Sequence, residues 1–354
     1  MSGRPPRFGI WALAHGVFGS RHHPGEVVDA SWKRNRTQVI EAERLGYDST
    51  LILQHTISPQ GDDNDVIEAW TAAAALAEAT SRIEIIAAIK PLLYHPAVLA
   101  KMALQIEAIS RGRFAINFVN AWYKPEIERA GIPFPDHDDR YEYGAEWLEV
   151  AAGLIEGRKV TFKGKHFDVR DYVLSPKSEY RERPTVYVSG ESEPARAIAA
   201  QTGDVYFLNS RPLEEIAEFI ADLSARPRSR APLRFAMPAF VIARPTEVEA
   251  EEEIAYAREL FVKDLPVALN REKHTDAKSR MLFQTHEKLP QIGIRGGTAS
   301  GLVGSYEQVA RRIAQFNEIG IETFMLQFQP FEAEMKRFAE EIIPRVRRLE
   351  RRAG

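Results

Sequence analysis

Short apolar runs alternate with helical patterns along almost the whole chain, and this alternation restricts the fold more than any other feature of the sequence. Candidate strands lie at 7–14, 49–54, 83–89, 114–119, 184–189, 205–209, 233–243 and 322–328. These runs are too continuously apolar for an antiparallel sheet with one solvent-exposed face, and they indicate parallel strands that are buried on both faces. Eight such strands separated by helices predict a (β/α)8 barrel, with the active site in the loops at the carboxyl ends of the strands.

The junctions between helix and strand also resemble one another. Residues 44–53 (RLGYDSTLIL) and 318–327 (EIGIETFMLQ) both pass from a helix through glycine and an acid into a strand. From Ser305, a capping box with Gln308 and an apolar stripe predict a helix that Gly320 ends. A doubly wound open sheet is the alternative, but no GxGxxG follows the first strand.

The length suits one barrel with insertions, so we predict a single domain over residues 1–354. A small hairpin is predicted at 160–169. The longest insertion, 265–300, precedes the last βα unit and ends in the glycine-containing segment IRGGTASG. Long insertions in compact domains often carry function, and we interpret this one as a mobile lid.

Composition excludes several classes of function. The chain has no cysteine, which rules out disulfides, thiolate nucleophiles and cysteine-ligated metals, and its nine histidines show no HExxH spacing, so no metal site is predicted. A net charge of −3 gives no reason to expect nucleic acid or an anionic membrane. No apolar run approaches the roughly 20 residues that cross a bilayer, and the first residues lack a signal-peptide pattern, which predicts a cytoplasmic protein.

Polar residues gather after the fourth and fifth strands. Asn117 begins the segment NFVNAWYKPEIERAG, whose amides could bond the polar edge of a flat heterocycle, although such an asparagine can equally satisfy its own loop. In VSGESEPARAIAA, Ser189-Gly190 makes a turn and Ser192 can cap the next helix. A helix start with hydroxyls and a glycine turn can bind an anion, and simple capping is the alternative. Glu191 would repel a phosphate unless it turns to solvent.

A third helix start, DHDDRYEYGAEW (136–147), carries Arg140 and Tyr141 directly behind three acids. Acids favour a helix N-terminus, whereas an arginine opposes the helix dipole. A phosphate nearby would explain Arg140, and a surface ion pair with Asp138 or Glu142 explains it equally well.

Four segments in this order resemble the luciferase-like flavin monooxygenases: NFVNAW (117–122), DDRYEYGAEW (138–147), VSGESE (188–193) and GLVGSYEQVARRI (301–313). The chain is most similar to the branch that contains the alkanesulfonate, dimethyl sulfone and pyrimidine-ring monooxygenases, from about Phe8 to Leu349. The resemblance implies a TIM barrel with an insertion before the last βα unit. It also implies reduced FMN from a separate NAD(P)H-dependent flavin reductase, O2 as co-substrate, and a homodimer or homotetramer.

The resemblance also assigns site residues. The positions that match the family's FMN contacts are Gln54, His55, Asn117, Glu126, Arg140, Tyr141, Gly190 and Ser192. Arg295, in a loop similar to the mobile loop of the alkanesulfonate enzymes, is the predicted catalytic arginine, together with His15 and His55. The predicted substrate pocket consists of Trp11, Trp122, Phe240, Arg295 and Gln329. Phe240, Gln329 and Phe331 stand where the alkanesulfonate enzymes carry histidine, tyrosine and histidine, so short alkanesulfonates fit less well than other oxidised sulfur groups.

The predicted function is therefore oxidation of a small sulfone or sulfonate by reduced FMN and O2, with cleavage of the C–S bond. Attack on an amide or heterocyclic ring is the first alternative, and a deazaflavin-dependent oxidoreductase is the second. Two other classes stay open, a flavin-binding protein without activity and a barrel hydrolase using Glu126 and Glu128. The hydrolase has poor geometry, because carboxylates only two residues apart are poorly placed to flank a scissile bond from opposite sides.

Overall fold

The computed structural model describes residues 4–12, 17–62, 64–275 and 292–353. The strands of these residues are, in chain order, β1 Arg7–Ala12, β2 Ser49–Ile52, β3 Glu84–Ile89, β4 Phe114–Phe118, β5 Val160–Lys163, β6 Asp168–Tyr172, β7 Thr185–Ser189, β8 Val205–Phe207, β9 Arg234–Phe240, β10 Ile242–Arg244, β11 Val303–Ser305 and β12 Ile321–Gln327. Eight of them close into a barrel in the order β1-β12-β9-β8-β7-β4-β3-β2, and every neighbouring pair is parallel. The predicted (β/α)8 barrel is confirmed, and the open-sheet alternative is wrong.

Helices connect the strands. Their bounds are α1 Trp32–Leu45, α2 Ala69–Ala79, α3 Pro96–Ser110, α4 Lys124–Glu128, α5 His137–Ile155, α6 Glu193–Thr202, α7 Leu213–Ala225, α8 Glu247–Lys263, α9 Leu265–Lys273, α10 Tyr306–Glu318, α11 Phe331–Arg337 and α12 Ile343–Ala353. Among the described residues, no helix is long and apolar enough to span a bilayer.

Each barrel strand sends alternate side chains to two apolar cores. Outward-facing residues such as Phe8, Ile10 and Phe324 pack against the helices in one buried cluster. Inward-facing residues such as Trp11 and Met325 form a second cluster inside the barrel. Because side chains of a strand alternate with period two, this division fixes which residues reach the barrel mouth.

Several local predictions are confirmed and one changes in detail. The hairpin forms as antiparallel β5 and β6. Ser305 and Gln308 make the capping box of α10, and Gly320 follows the helix with a φ of 117°. The predicted strand at 233–243 divides in two, because β10 leaves the barrel and pairs with β11 in a separate two-stranded sheet.

The long insertion begins with α9, and its last part, 292–300, forms a short 3-10 turn over the barrel mouth. Gln327 at the end of β12 holds this last part, since its side-chain amide accepts a hydrogen bond from the Ile294 amide (2.8 Å) and donates to the Ile294 carbonyl (3.1 Å). The rest of the predicted lid, 276–291, lies outside the described residues.

Candidate functional site

Polar side chains meet at the carboxyl ends of the barrel strands, where the inward alternation places them. Asn117 at the end of β4 accepts a hydrogen bond from the Ser189 hydroxyl at the end of β7 (2.9 Å). Both side chains are buried. The resemblance assigned Asn117 to the cofactor, and the structure places it inside the mouth with one side of its amide oriented by Ser189.

Arg295 extends this chain of contacts from the insertion. Its guanidinium donates through Nε to Asn209 (2.8 Å), through Nη1 to the Ser189 hydroxyl (3.1 Å) and through Nη2 to the carbonyl of Phe207 (3.0 Å). It also lies 4.7 Å from the centre of the Phe207 ring. Burial lowers the pKa of Arg295 to about 10, while Glu191 and Tyr206 oppose that change. The arginine therefore joins 292–300 to the strand ends as a cation.

A second cluster joins three segments that are far apart in sequence. The Lys90 ammonium, directly after β3, bonds the Glu126 carboxylate of α4 and lies 3.0 Å from Nδ1 of His55. The other Glu126 oxygen accepts from the backbone amide of Thr56 (2.7 Å). The Lys90 and Glu126 side chains are only 4% and 0% exposed, so the two charges must neutralise each other.

The pKa of Glu126 shifts toward its charged form, whereas burial dominates the pKa of Lys90. Burial alone would raise the pKa of Glu126, but Lys90 and His55 outweigh it and lower the value to about 2. Burial lowers the pKa of Lys90, and the adjacent carboxylate opposes this. Two of the predicted cofactor contacts, His55 and Glu126, are thus joined by a lysine that the sequence analysis missed.

The signal for Lys90 was a lysine at the end of a continuously apolar strand, where a charge needs a partner. Trp122 packs edge-on against His55 with ring centres 6.0 Å apart. Arg271 of α9 lies 6.0 Å from the Trp122 ring and 4.2 Å from the Phe18 ring, buried. It also escaped the sequence analysis, because its segment carries no recognisable pattern.

Gln54 is buried but turned to α2. Its side-chain oxygen accepts from the backbone amide of Ala69 (3.3 Å), and its amide nitrogen is 3.5 Å from the Tyr94 hydroxyl. The predicted cofactor residue therefore also holds the start of a helix.

The start of α5 packs against the turn after β7. Tyr141 is close enough that a Cβ added to Gly190 would stand 3.2 Å from its hydroxyl. Arg140 is buried, donates to the carbonyl of Pro135 (2.8 Å) and lies 4.3 Å from the Phe134 ring. The surface position considered for Arg140 is wrong, because its long stem packs inside the rim.

Ser192 occupies the N-cap position of α6, but its hydroxyl makes no capping bond. The predicted capping role is therefore wrong in the described structure. Its Oγ is buried and has no hydrogen-bond partner there. Gly190, two residues earlier, has a φ of 122°, and an added Cβ would come within 2.9 Å of Ala195. A buried hydroxyl beside free helix amides is suited to an anion.

Glu191 was expected to turn to solvent if an anion bound here, and the structure corrects this. Its carboxylate is buried and pairs with Arg211 (2.7 Å). Arg211 neutralises the Glu191 carboxylate inside the turn, so Glu191 no longer repels a phosphate there even though it does not face solvent. Neighbouring hydrogen bonds fix the turn, from Tyr206 to the Gly190 carbonyl and from Arg196 to the Glu191 carbonyl (3.0 Å).

The predicted substrate pocket contains three further buried residues on strand ends. Trp11 packs against Phe207 with ring centres 6.2 Å apart. Phe240 lies beneath the 3-10 turn, where an added Cβ on Gly293 would stand 3.0 Å from it. Gln329 follows β12 and is 4% exposed. The structure therefore brings most of the predicted residues to one end of the barrel, whereas His15 lies outside the described residues.

Comparison with known proteins agrees with this geometry. The family model described as luciferase-like monooxygenase matches residues 7–323. An FMNH2-dependent dimethylsulfone monooxygenase of Pseudomonas putida is 31% identical over 98% of this chain and 97% of its own length. A second protein of that description, from Pseudomonas fluorescens, is 28% identical over 100% of this chain and 98% of its own length. Among solved structures, a riboflavin lyase shares the fold with a TM-score of 0.81 at 20% identity, covering 98% of this chain and 92% of that one.

The barrel and its mouth define a flavoenzyme-type (β/α)8 protein, and the chain belongs to the luciferase-like monooxygenase family. The predicted family and the predicted class of enzyme, a flavin-dependent monooxygenase, are confirmed. The assignment of single residues stays a prediction.

Proposed function

We propose that this protein uses reduced FMN and O2 to oxidise a small sulfone, with cleavage of a C–S bond. The observation that carries the proposal is the 31% identity, over 98% of the chain, to an FMNH2-dependent dimethylsulfone monooxygenase. For dimethyl sulfone, the balanced reaction consumes reduced FMN and O2 and gives methanesulfinate, formaldehyde, oxidised FMN and water. A separate NAD(P)H-dependent flavin reductase supplies the reduced FMN in this proposal.

The residues at the mouth suit FMN. The buried Ser192 hydroxyl has no partner among the described residues and stands at the start of α6, where a phosphate would find a donor and backbone amides. Asn117, oriented by Ser189, can bond the polar edge of the ring. Arg140 and Tyr141 stand at the neighbouring helix start, Gln54 and His55 follow β2, and Glu126 lies in α4 after β4.

Reduced FMN, when bound, supplies the electrons with which O2 is activated. The protein has to orient the substrate beside the ring and to exclude water from the site. In this proposal 292–300, the last part of the predicted lid, covers the mouth, and Arg295 joins it to the barrel through Ser189 and Asn209. The chain acts as one domain in the cytoplasm and forms a homodimer or homotetramer.

Arg295→Ala tests the proposed catalytic role. We expect turnover to fall by orders of magnitude while the dissociation constant for FMN hardly changes, because Arg295 bonds Asn209, Ser189 and the Phe207 carbonyl and none of the proposed FMN contacts directly. Stopped-flow product formation and a flavin fluorescence titration measure the two quantities. Turnover equal to that of the original protein would end this assignment of Arg295.

The test of the function supplies the purified chain with NADH, FMN, a flavin reductase and dimethyl sulfone in air. We expect methanesulfinate and formaldehyde in equal amounts, and neither without the chain. Release of sulfite from alkanesulfonates would show that the substrates are sulfonates rather than sulfones. A ring-opened product from amides or heterocycles would support the first alternative, attack on an amide or heterocyclic ring. Activity with a deazaflavin alone would support the second alternative. FMN binding without oxygen uptake above background would contradict the proposal altogether.

A further inference from the structure

Two side chains at the ends of the neighbouring strands β1 and β12 carry buried hydrogen-bonding atoms without a partner among the described residues. The indole Nε1 of Trp11 is buried and makes no hydrogen bond there. Both polar atoms of the Gln329 side chain, Nε2 and Oε1, are buried and equally without a partner. A buried unpaired donor costs about 1–3 kcal/mol, so these groups reduce the stability of the folded protein unless a ligand bonds to them.

Strand alternation places Trp11 on the inside of the barrel, and Gln329 lies two residues beyond the end of the neighbouring strand β12. Trp11 belongs to the inner apolar cluster with Met325, whereas Ile10 and Leu326 belong to the outer one. Gln327, the last residue of β12, reaches the insertion over the mouth, Phe328 packs in the outer cluster, and Gln329 follows with both polar side-chain atoms buried. The two side chains therefore stand at neighbouring strand ends.

The two residues are also close along the rim. β1 and β12 are neighbours, and the pair Ile10–Leu326 sets Trp11 level with Gln327. From the strand spacing and the reach of two extended residues, the Cα atoms of Trp11 and Gln329 are at most roughly 12 Å apart. Side chains as long as tryptophan and glutamine can converge on one small molecule across that distance.

Two neighbouring polar side chains around this space are already engaged. Gln327 bonds the backbone of Ile294, and all three nitrogens of the Arg295 guanidinium donate to protein acceptors. Phe207 and Phe240 supply apolar walls. Within the described residues, Trp11 Nε1 and Gln329 Nε2 are thus unused neutral N–H donors beside these apolar walls, at the ends of two neighbouring strands.

We infer that Trp11 and Gln329 bind the two oxygens of a sulfonyl group, the indole N–H donating to one and the Gln329 amide to the other. A sulfone has two strong acceptors, with apolar groups on either side, which matches the two N–H donors; it has no donor, so Gln329 Oε1 receives no hydrogen bond from it. This inference rests on the proposed function, since it concerns the substrate of the same site. It makes Trp11 and Gln329 the residues that distinguish an oxidised sulfur centre from an unoxidised one.

The test measures binding rather than turnover. Dimethyl sulfone and dimethyl sulfide are titrated by calorimetry into the FMN-loaded protein, and into Trp11→Phe and Gln329→Leu. Dimethyl sulfide has the same carbon skeleton without the oxygens. We expect each substitution to weaken sulfone binding roughly 3- to 10-fold, as for one lost hydrogen bond, and to leave sulfide binding unchanged.

Stability separates a binding role from a structural one. Because the Gln329 amide is unpaired in the described structure, Gln329→Leu should unfold at the same temperature as the original protein or a higher one. Matched controls are Trp32→Phe and Gln315→Leu at exposed positions, which should change neither binding nor unfolding. Trp11→Phe and Gln329→Leu both retain large apolar side chains, so either one alone suffices if the other fails to fold.

Three results would overturn the inference. They are unchanged sulfone affinity in both variants, equal weakening of sulfone and sulfide, and absence of sulfone binding by the original protein. Failure of the proposed function is a separate result, namely sulfone binding that depends on Trp11 and Gln329 without release of sulfinate on addition of reductase and O2.

Discussion

Replacing Lys90 by methionine should destabilise the protein by about 3–5 kcal/mol, because it leaves Glu126 as a buried charge without its counter-ion. The Glu126 side chain is 0% exposed, and its nearest cation is Lys90. Methionine keeps most of the length and apolar character of the lysine stem, so the loss reports mainly on the charge. Removal of the lysine would also leave Nδ1 of His55 without the ammonium 3.0 Å away.

The pKa of Glu126 gives a second route to the magnitude. Its lowering from 4.5 to about 2 in the folded protein corresponds to roughly 3 kcal/mol, since one pKa unit is about 1.4 kcal/mol. Burial acts in the opposite direction, so this figure is what Lys90 and His55 contribute beyond the cost of burial. Both routes lead to several kcal/mol.

The assay is urea unfolding of Lys90→Met, Glu126→Gln and the double variant, followed by tryptophan fluorescence and circular dichroism. Each single variant leaves one buried charge, whereas the double variant leaves none, and the introduced side-chain amide keeps an oxygen for the Thr56 backbone. We therefore expect the double variant to be more stable than either single one. The control is Lys124→Met, which breaks the exposed Lys124–Glu128 pair (3.2 Å; side chains 53% and 49% exposed) and should cost less than about 1 kcal/mol.

Additive effects of the Lys90 and Glu126 substitutions on the free energy of unfolding would refute the proposed charge pairing. If the two single effects sum to that of the double variant within about 0.5 kcal/mol, Lys90 and Glu126 do not stabilise each other. A Lys90→Met variant as stable as Lys124→Met would lead to the same conclusion.

Two further predictions concern the same mouth. Ser192→Ala should weaken FMN binding by at least about tenfold and leave the unfolding temperature unchanged, because its hydroxyl has no partner in the described structure. A flavin fluorescence titration measures the affinity, and a thermal scan measures the unfolding temperature. Unchanged affinity for FMN would show that Ser192 does not belong to the phosphate site. The pKa of Glu126 is lower in the folded than in the unfolded chain, so its contribution to stability is present above about pH 4.5 and is lost as the pH falls toward 2. The midpoint of urea unfolding should therefore depend less on pH in Glu126→Gln than in the original protein. Parallel plots of midpoint against pH for the two proteins would contradict this prediction.

The sequence by itself determined the barrel and the ends of several helices. Apolar runs predicted all eight barrel strands, because a strand buried on both faces carries its signal in consecutive residues. The capping box of Ser305 was equally visible, since its two partners lie three residues apart. Polar positions after the strands followed from barrel topology, which brings all carboxyl ends to one face.

Only the tertiary structure decided what those side chains contact. Lys90, His55 and Glu126 come from three separate βα units, and no local pattern states that their charges meet. Ser192 stands where a cap was predicted, yet its hydroxyl stays unpaired in the described structure. Propensities and caps depend on neighbours within about four residues, whereas ion pairs and unpaired donors inside a closed barrel depend on how distant strands pack against one another.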